Sequence, residues 1–126
     1  MTKVIDASAL LAILFDEPGA DLAMAHSRNG VMSAANLCES IERVVRVGGS
    51  AAVVTDAIAR LEIDILPFGA PEAVLAGKMR GQSRFAGISL ADRACIATAQ
   101  VRGLPLLTAD RAWSELGLEI EIVQIR

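Results

Sequence analysis

Five short apolar runs, each separated from the next by helix-forming sequence, restrict this chain to a narrow set of folds. They are "KVID" near the start, "VMS" from residue 31, "EIDILPF" from 62, "LPLLT" from 104 and "EIEIVQI" from 119. Runs this short and apolar predict strands of one largely buried sheet. The stretches between them carry helix signals. Ser8 to Phe15 is apolar almost all round, which places a helix deep in the core or with one face against a partner. Pro18 opens a second helix that runs to about Arg28 and closes at Asn29-Gly30. Ser33 can cap a third, repeating apolar side chains at Leu37, Ile41, Val44 and Val45 and ended by Gly48-Gly49. Ser50 starts a fourth and Pro71 opens a fifth through Met79. "RGQSRFAG" reads as a loop, Ser89 begins a helix reaching Arg102-Gly103, and "ADRAWSEL" is a short helical turn. Alternation of this kind implies an α/β fold, with a mostly parallel five-stranded sheet, right-handed crossovers and helices on both faces. No internal repeat or linker divides it, so residues 1–126 are expected to form one domain.

Composition agrees with close packing. Apolar residues make up 53% of the chain, yet there is no Tyr and only three Phe and one Trp, so Ala, Val, Ile and Leu must fill the core. The run from Ala7 to Phe15 is far short of the roughly 20 residues a bilayer requires, and no cleavage pattern follows it. A cytoplasmic protein with no membrane association is the expectation. Cys38 and Cys95 sit in helical segments and read as two buried small hydrophobes in a reducing compartment. His26, in the polar stretch "AHSRNG", is expected to face solvent.

Net charge is −3, which argues against nucleic-acid binding by charge alone. The distribution is uneven. Residues 73–109 carry Lys78, Arg80, Arg84, Arg93 and Arg102 against Asp92 only, whereas residues 1–72 hold five bases against ten acids. Such a band is either a plain solvated face or a surface for phosphates.

Four acids stand where this fold could collect them. Asp6 and Asp110 lie just after strands, and Glu39 and Asp92 lie in the first turns of helices that could start at the same rim. Open parallel sheets form their sites beyond the carboxyl ends of the strands. Each acid also has a local explanation. Asp6 could cap the first helix, Ser89 to Asp92 is an S-x-x-D capping box, Asp110 or Thr108 could cap the "DRAW" turn, and Glu39 is an ordinary helix former. Their separations of 33, 53 and 18 residues match no short metal motif. Taken together, clustered carboxylates call for a divalent cation, and hard oxygen ligands favour Mg2+ or Mn2+.

The stretches "VIDASALLAIL", "DEPGA", "SAANLCES", "SLADRACIATA" and "LPLLTADRAW" together resemble PIN-domain proteins of the VapC toxin type, nearly end to end and with all four acids in order. The resemblance implies a metal-dependent endoribonuclease that acts as the toxin of a type II toxin–antitoxin pair, with an RNA substrate, a VapB-like antitoxin and a homodimeric state. Asp6, Glu39, Asp92 and Asp110 match the family's acidic quartet. Ser8 and Thr108 match its supporting hydroxyl positions, and Asn36 fits its second motif. Ala91 departs from the Gly found in many relatives. On this reading Asp6, Asp92 and Asp110 are principal ligands, and Glu39 is a further ligand or orients water. Arg80, Arg84 and Arg93 are candidates for steering the RNA backbone. The apolar helix at Leu10, Leu11, Leu14 and Phe15 could supply the antitoxin's groove. Two rivals are a catalytically idle PIN-like RNA-binding or interaction module and a flavodoxin-like receiver. The receiver lacks a lysine near the end of a late strand, since Lys3 and Lys78 are the only lysines.

Overall fold

A computed structural model describes all residues, 1–126. The strands β1 (Val4–Ile5), β2 (Val31–Ser33), β3 (Asp64–Leu66), β4 (Leu106–Thr108) and β5 (Ile122–Gln124) form one sheet in the order β3-β2-β1-β4-β5. Every neighbouring pair is parallel. Six helices connect them: α1 (Ala7–Leu14), α2 (Ala20–Ser27), α3 (Ala34–Arg46), α4 (Ala51–Arg60), α5 (Ala70–Met79) and α6 (Leu90–Arg102). The expected α/β architecture is present, and the sheet is parallel throughout. No helix is long and apolar enough to cross a membrane.

Period-two alternation in β1 and β4 divides the core between the two faces of the sheet. Ile5 and Leu107 join a cluster with Leu10, Leu11, Met32 and Val54, under α1 to α4. Val4 and Leu106 point the other way, into a cluster with Met79, Phe85, Ile96 and Trp113, under α5 and α6. Each such side chain, fully buried, contributes about 1.5–3 kcal/mol.

The chain runs outward from β1 through β2 to β3, then crosses back to place β4 on the other side of β1. The direction of winding therefore reverses between β1 and β4. A crevice opens at such a reversal, beyond the carboxyl ends of the two strands. Asp6 follows β1 and Ala109-Asp110 follows β4, and the Asp6 amide donates to the Leu107 carbonyl at 2.9 Å. Ser33 ends β2 and also caps α3, its Oγ accepting from the Ala35 amide at 3.2 Å. Those three strand ends fix the floor of the site.

Several local expectations differ from the structure. Pro18 does not open α2: the helix starts at Ala20 behind Gly19, whose positive φ of 91° turns the chain against the Ile125 carbonyl. "RGQSRFAG" contains a 3-10 turn at Ser83–Phe85, because Phe85 is drawn into the core. β5 is only the second half of "EIEIVQI". Leu10 and Leu11 are core residues packed over the sheet and offer no surface to a partner; of the four apolar residues named for that groove, only Leu14 and Phe15 reach the surface. Cys95 is buried as expected, but Cys38 is exposed, because α3 turns it away from the sheet. His26 is half-buried in the last turn of α2 rather than free in solvent.

Candidate active site

Asp6 occupies the N-cap position of α1, yet its side chain makes no cap bond. Two hydroxyls hold it instead. Ser8 Oγ donates to Asp6 Oδ2 at 2.5 Å and Thr108 Oγ1 donates to the same oxygen at 2.8 Å. A hydroxyl has one proton to give. The 3.2 Å approach of Ser8 to Thr108 therefore orders the pair without a further shared proton. Both oxygens also accept: Ser8 Oγ from the Ala109 amide at 2.9 Å, Thr108 Oγ1 from the Asp110 amide at 3.0 Å. The network fastens the end of β1 to the segment after β4. It leaves Asp6 Oδ1 with no protein donor.

Burial pushes the Asp6 carboxyl up to about 7, against the pull of Ser8 and Thr108, and the nearby Asp92 and Glu39 push the same way. Glu39, half-buried on α3, is raised by burial first and by Asp92 next, while Arg43 opposes the rise. Asp92, in the first turn of α6, is raised by burial, with Asp110 adding to it. Its own amide donates to Ser89 Oγ at 3.1 Å, so the helix cap is in place and the carboxylate lies at the positive end of α6.

One carboxylate oxygen from each of Asp6, Glu39 and Asp92 lies within 4.8 Å of the other two. Two full charges at that separation repel by about 3 kcal/mol at an effective dielectric of 20. Asp110 stands at the rim, exposed, with Oδ1 accepting from the Ala112 amide at 3.0 Å. It lines the same cavity of about 190 Å³ as the other three, together with Ser8, Leu11 and Arg43. All four predicted acids thus reach one crevice, but the tight trio has Glu39 where the sequence reading had Asp110.

Asn36 ties two of these elements together. Fully buried one turn before Glu39, it donates from Nδ2 to the Ala91 carbonyl at 3.0 Å, beside Asp92. The link uses the backbone of Ala91, so its methyl in place of hydrogen does not disturb it.

The donor set suits a hard divalent cation. All the available groups are carboxylate oxygens, and Glu39 Oε1 is buried with no hydrogen-bond partner in the protein. A buried acceptor without a donor is costly unless something cationic meets it.

None of the three arginines singled out from the sequence lines this cavity. Arg93 is half-buried, and its guanidinium donates to the carbonyls of Ile88 (3.3 Å) and Ala76 (2.9 Å). Arg84 donates to the Leu116 and Gly117 carbonyls at 2.9 and 3.2 Å and lies 4.7 Å over the Phe85 ring. Arg80 is exposed at the end of α5. The cation in the cavity wall is Arg43, which the sequence reading passed over. Its signal was a spacing of four residues from Glu39, which puts both on one face of α3.

The chain matches the PIN domain family over residues 3–118. None of the curated proteins compared matches it. Solved structures similar over nearly the whole chain include DNA-bound VapBC from Salmonella typhimurium, with 16% identity, a TM-score of 0.77 and 100% of both chains covered. VapC20 from Mycobacterium tuberculosis, described as a Sarcin-Ricin loop cleaving toxin, has 19% identity and a TM-score of 0.76, covering 95% of this chain and 99% of that one. A toxin–antitoxin complex from Klebsiella pneumoniae gives 17% identity and a TM-score of 0.75, covering 99% and 98%. With four acids gathered at the reversal of a parallel sheet and a family match spanning nearly all of it, the chain belongs to the PIN domain family, in the fold of VapC-type toxins.

Proposed function

We propose that this chain is a metal-dependent endoribonuclease and the toxin of a type II toxin–antitoxin pair, acting in the cytoplasm. The observation that carries the chemistry is the convergence of three carboxylates from β1, α3 and α6 within 4.8 Å. Ser8, Thr108 and Arg43 offset only part of that repulsion, since the carboxyls stay raised, and a cation would remove the rest. Asp6, through Oδ1, and Glu39 and Asp92 would hold Mg2+ or Mn2+, with Asp110 at the rim as fourth member of the set. When bound, the ion stabilises charge on the phosphoryl oxygens and lowers the pKa of the attacking water.

The chain's own residues do the rest. Ser8 and Thr108 fix Asp6 in one orientation by occupying Oδ2, so Oδ1 faces the crevice. Asn36 sets the spacing of Glu39 from Asp92 by clamping α3 to α6. The free oxygen of Asp110 lies at the mouth, where it can accept a proton from the incoming water.

The toxin role is supported by the similar structures, several of which are toxin–antitoxin complexes. An antitoxin segment on this chain would lie across the exposed apolar side chains of α1 and α2, Phe15, Leu22 and Met24. A homodimer is part of the same proposal. The nuclease reading is tested by incubating the purified chain with RNA in Mg2+ or Mn2+, with chelator and with Asp6→Asn and Asp92→Asn. Cleavage that needs the metal and vanishes in both variants supports it. RNA and metal binding without cleavage would establish the idle module instead.

A further inference from the structure

We propose that Arg43 is a substrate-contacting residue, whose guanidinium takes a phosphate oxygen of the RNA strand beside the acidic cluster. The inference rests on the nuclease reading above and adds to it the group that admits the polyanion. An RNA strand entering this crevice meets Asp6, Glu39, Asp92 and Asp110, and Arg43 is the one basic side chain in the wall. A bound cation offsets the carboxylates only at the centre; phosphates flanking the cut need their own counter-charge.

Arg43 is available for that task. It is exposed, in the last turns of α3, one helical turn from Glu39. The chain's one ion pair joins Arg126 to Glu17 at 3.6 Å, and no hydrogen bond engages the Arg43 guanidinium. Its five donors are therefore unspent, whereas the guanidinium groups of Arg84 and Arg93 are each already anchored by hydrogen bonds to protein oxygens. A planar guanidinium also matches two phosphate oxygens at once.

The experiment compares wild type, Arg43→Gln and Arg43→Lys on a single-stranded RNA oligonucleotide with Mn2+, across a series of salt concentrations. Position 43 is exposed, so all three fold. Arg43→Gln should raise KM about tenfold with kcat changed by no more than about twofold, as expected for loss of one charge-assisted hydrogen bond. Its salt dependence should be shallower by about 0.7 in log–log slope, one phosphate contact to a single strand. Arg43→Lys keeps the charge but not the two-oxygen fit, so it should restore the salt slope and only part of the KM. Mn2+ affinity measured without RNA should stay level or tighten in Arg43→Gln, because a neighbouring positive charge is gone. Unchanged KM and salt slope in Arg43→Gln would overturn the inference. So would a matching loss of Mn2+ affinity, which would make Arg43 a positioning residue for the acids. If wild type itself neither cuts nor binds RNA, the nuclease reading fails first, visibly and before any variant is compared.

Discussion

The two ends of α6 face cavities of opposite character. At its start, Asp92 helps line a crevice of about 190 Å³ whose wall holds four acids. At its finish, about 17 Å away at 1.5 Å per residue, Gln100 and Gly103 border a hollow of about 630 Å³ lined by Leu75, Met79, Phe85 and Ile120, with Arg84 and Glu119. The larger space lies beside the amino-terminal edge of β4, where turns meet; the smaller lies beyond the carboxyl ends of β1 and β4. Chemistry follows from the reversal of winding, which lets three separated segments press their acids together while burial raises all of them. The contrast is that only the end proposed as the active site is electrostatically strained.

The sharpest test of that contrast is to neutralise one acid and, separately, one charge at the far end. Asp92→Asn should reduce metal-dependent cleavage roughly a thousandfold, since a correctly held cation contributes several kcal/mol to phosphoryl transfer. Arg84→Gln should leave the rate near that of wild type. Equal losses in the two variants would erase the distinction between the ends.

Strain at the acidic end should also register as stability. Asp6 has a carboxyl near pH 7 in the folded chain against 3.8 for an ordinary aspartate. Between those values the folded state holds a proton that the unfolded state has released, so stability falls as pH rises. For the metal-free protein the Asp6 contribution amounts to about 4 kcal/mol in full, developed from pH 4 and complete above pH 7. Glu39 and Asp92 act in the same direction. Urea unfolding of metal-free protein across this range measures it, with Asp6→Asn as the comparison. The asparagine variant can still accept both hydroxyls through its amide oxygen and should lose most of the slope. Saturating Mn2+ should protect wild type more at pH 8 than at pH 5. A wild-type slope no steeper than that of Asp6→Asn would show that the crevice is not strained.

A smaller effect belongs to the clamp between α3 and α6. Asn36→Ala removes the bond to the Ala91 carbonyl and leaves a small void in a fully buried place. It should cost about 2 kcal/mol, and loosening Glu39 relative to Asp92 should lower Mn2+ affinity tenfold or more. Mn2+ titration separates the two results. A loss of stability with unaltered Mn2+ affinity would mean that the acids keep their spacing without the clamp.

Much of the fold was legible because its signals are local. The short apolar runs at Val4-Ile5 and Leu106-Leu107, the serine caps at Ser33 and Ser89, and the glycine stop at Gly103 each act within a few residues. The positions of Asp6 and Asp110 were legible for a related reason, since strand ends are visible in the sequence and the sheet type says which edge carries the site. What the sequence could not show was the assignment of donors across the fold. Arg93 looks like a free cation in the chain, but the Ala76 carbonyl it meets lies 17 residues away on α5. Local rules offered Asp6 only a cap; the family resemblance pointed to Thr108 as a supporting hydroxyl, and it donates to Asp6 from 102 residues away. Likewise the choice of Glu39 over Asp110 for the tight trio depends on how α3 packs against α6, and no spacing encodes that angle.

Arg84 gives the mildest test, and it probes the other half of the comparison. Its guanidinium closes the turn after the 3-10 segment Arg111–Glu115 by donating to the Leu116 and Gly117 carbonyls, and it stacks on Phe85. If the larger hollow is only a by-product of packing, Arg84→Gln removes three exposed hydrogen bonds, the third to Gln82 Oε1, and one cation–π contact, a cost of about 1 kcal/mol. Thermal melting should show a drop of a few degrees for a domain of this size. Mn2+ affinity and RNA KM should both stay at wild-type values, because the two cavities share no lining residue. A shift in RNA KM with the melting temperature intact would instead make this end a second contact surface for the strand. The single-ended picture of the molecule would then have to be given up.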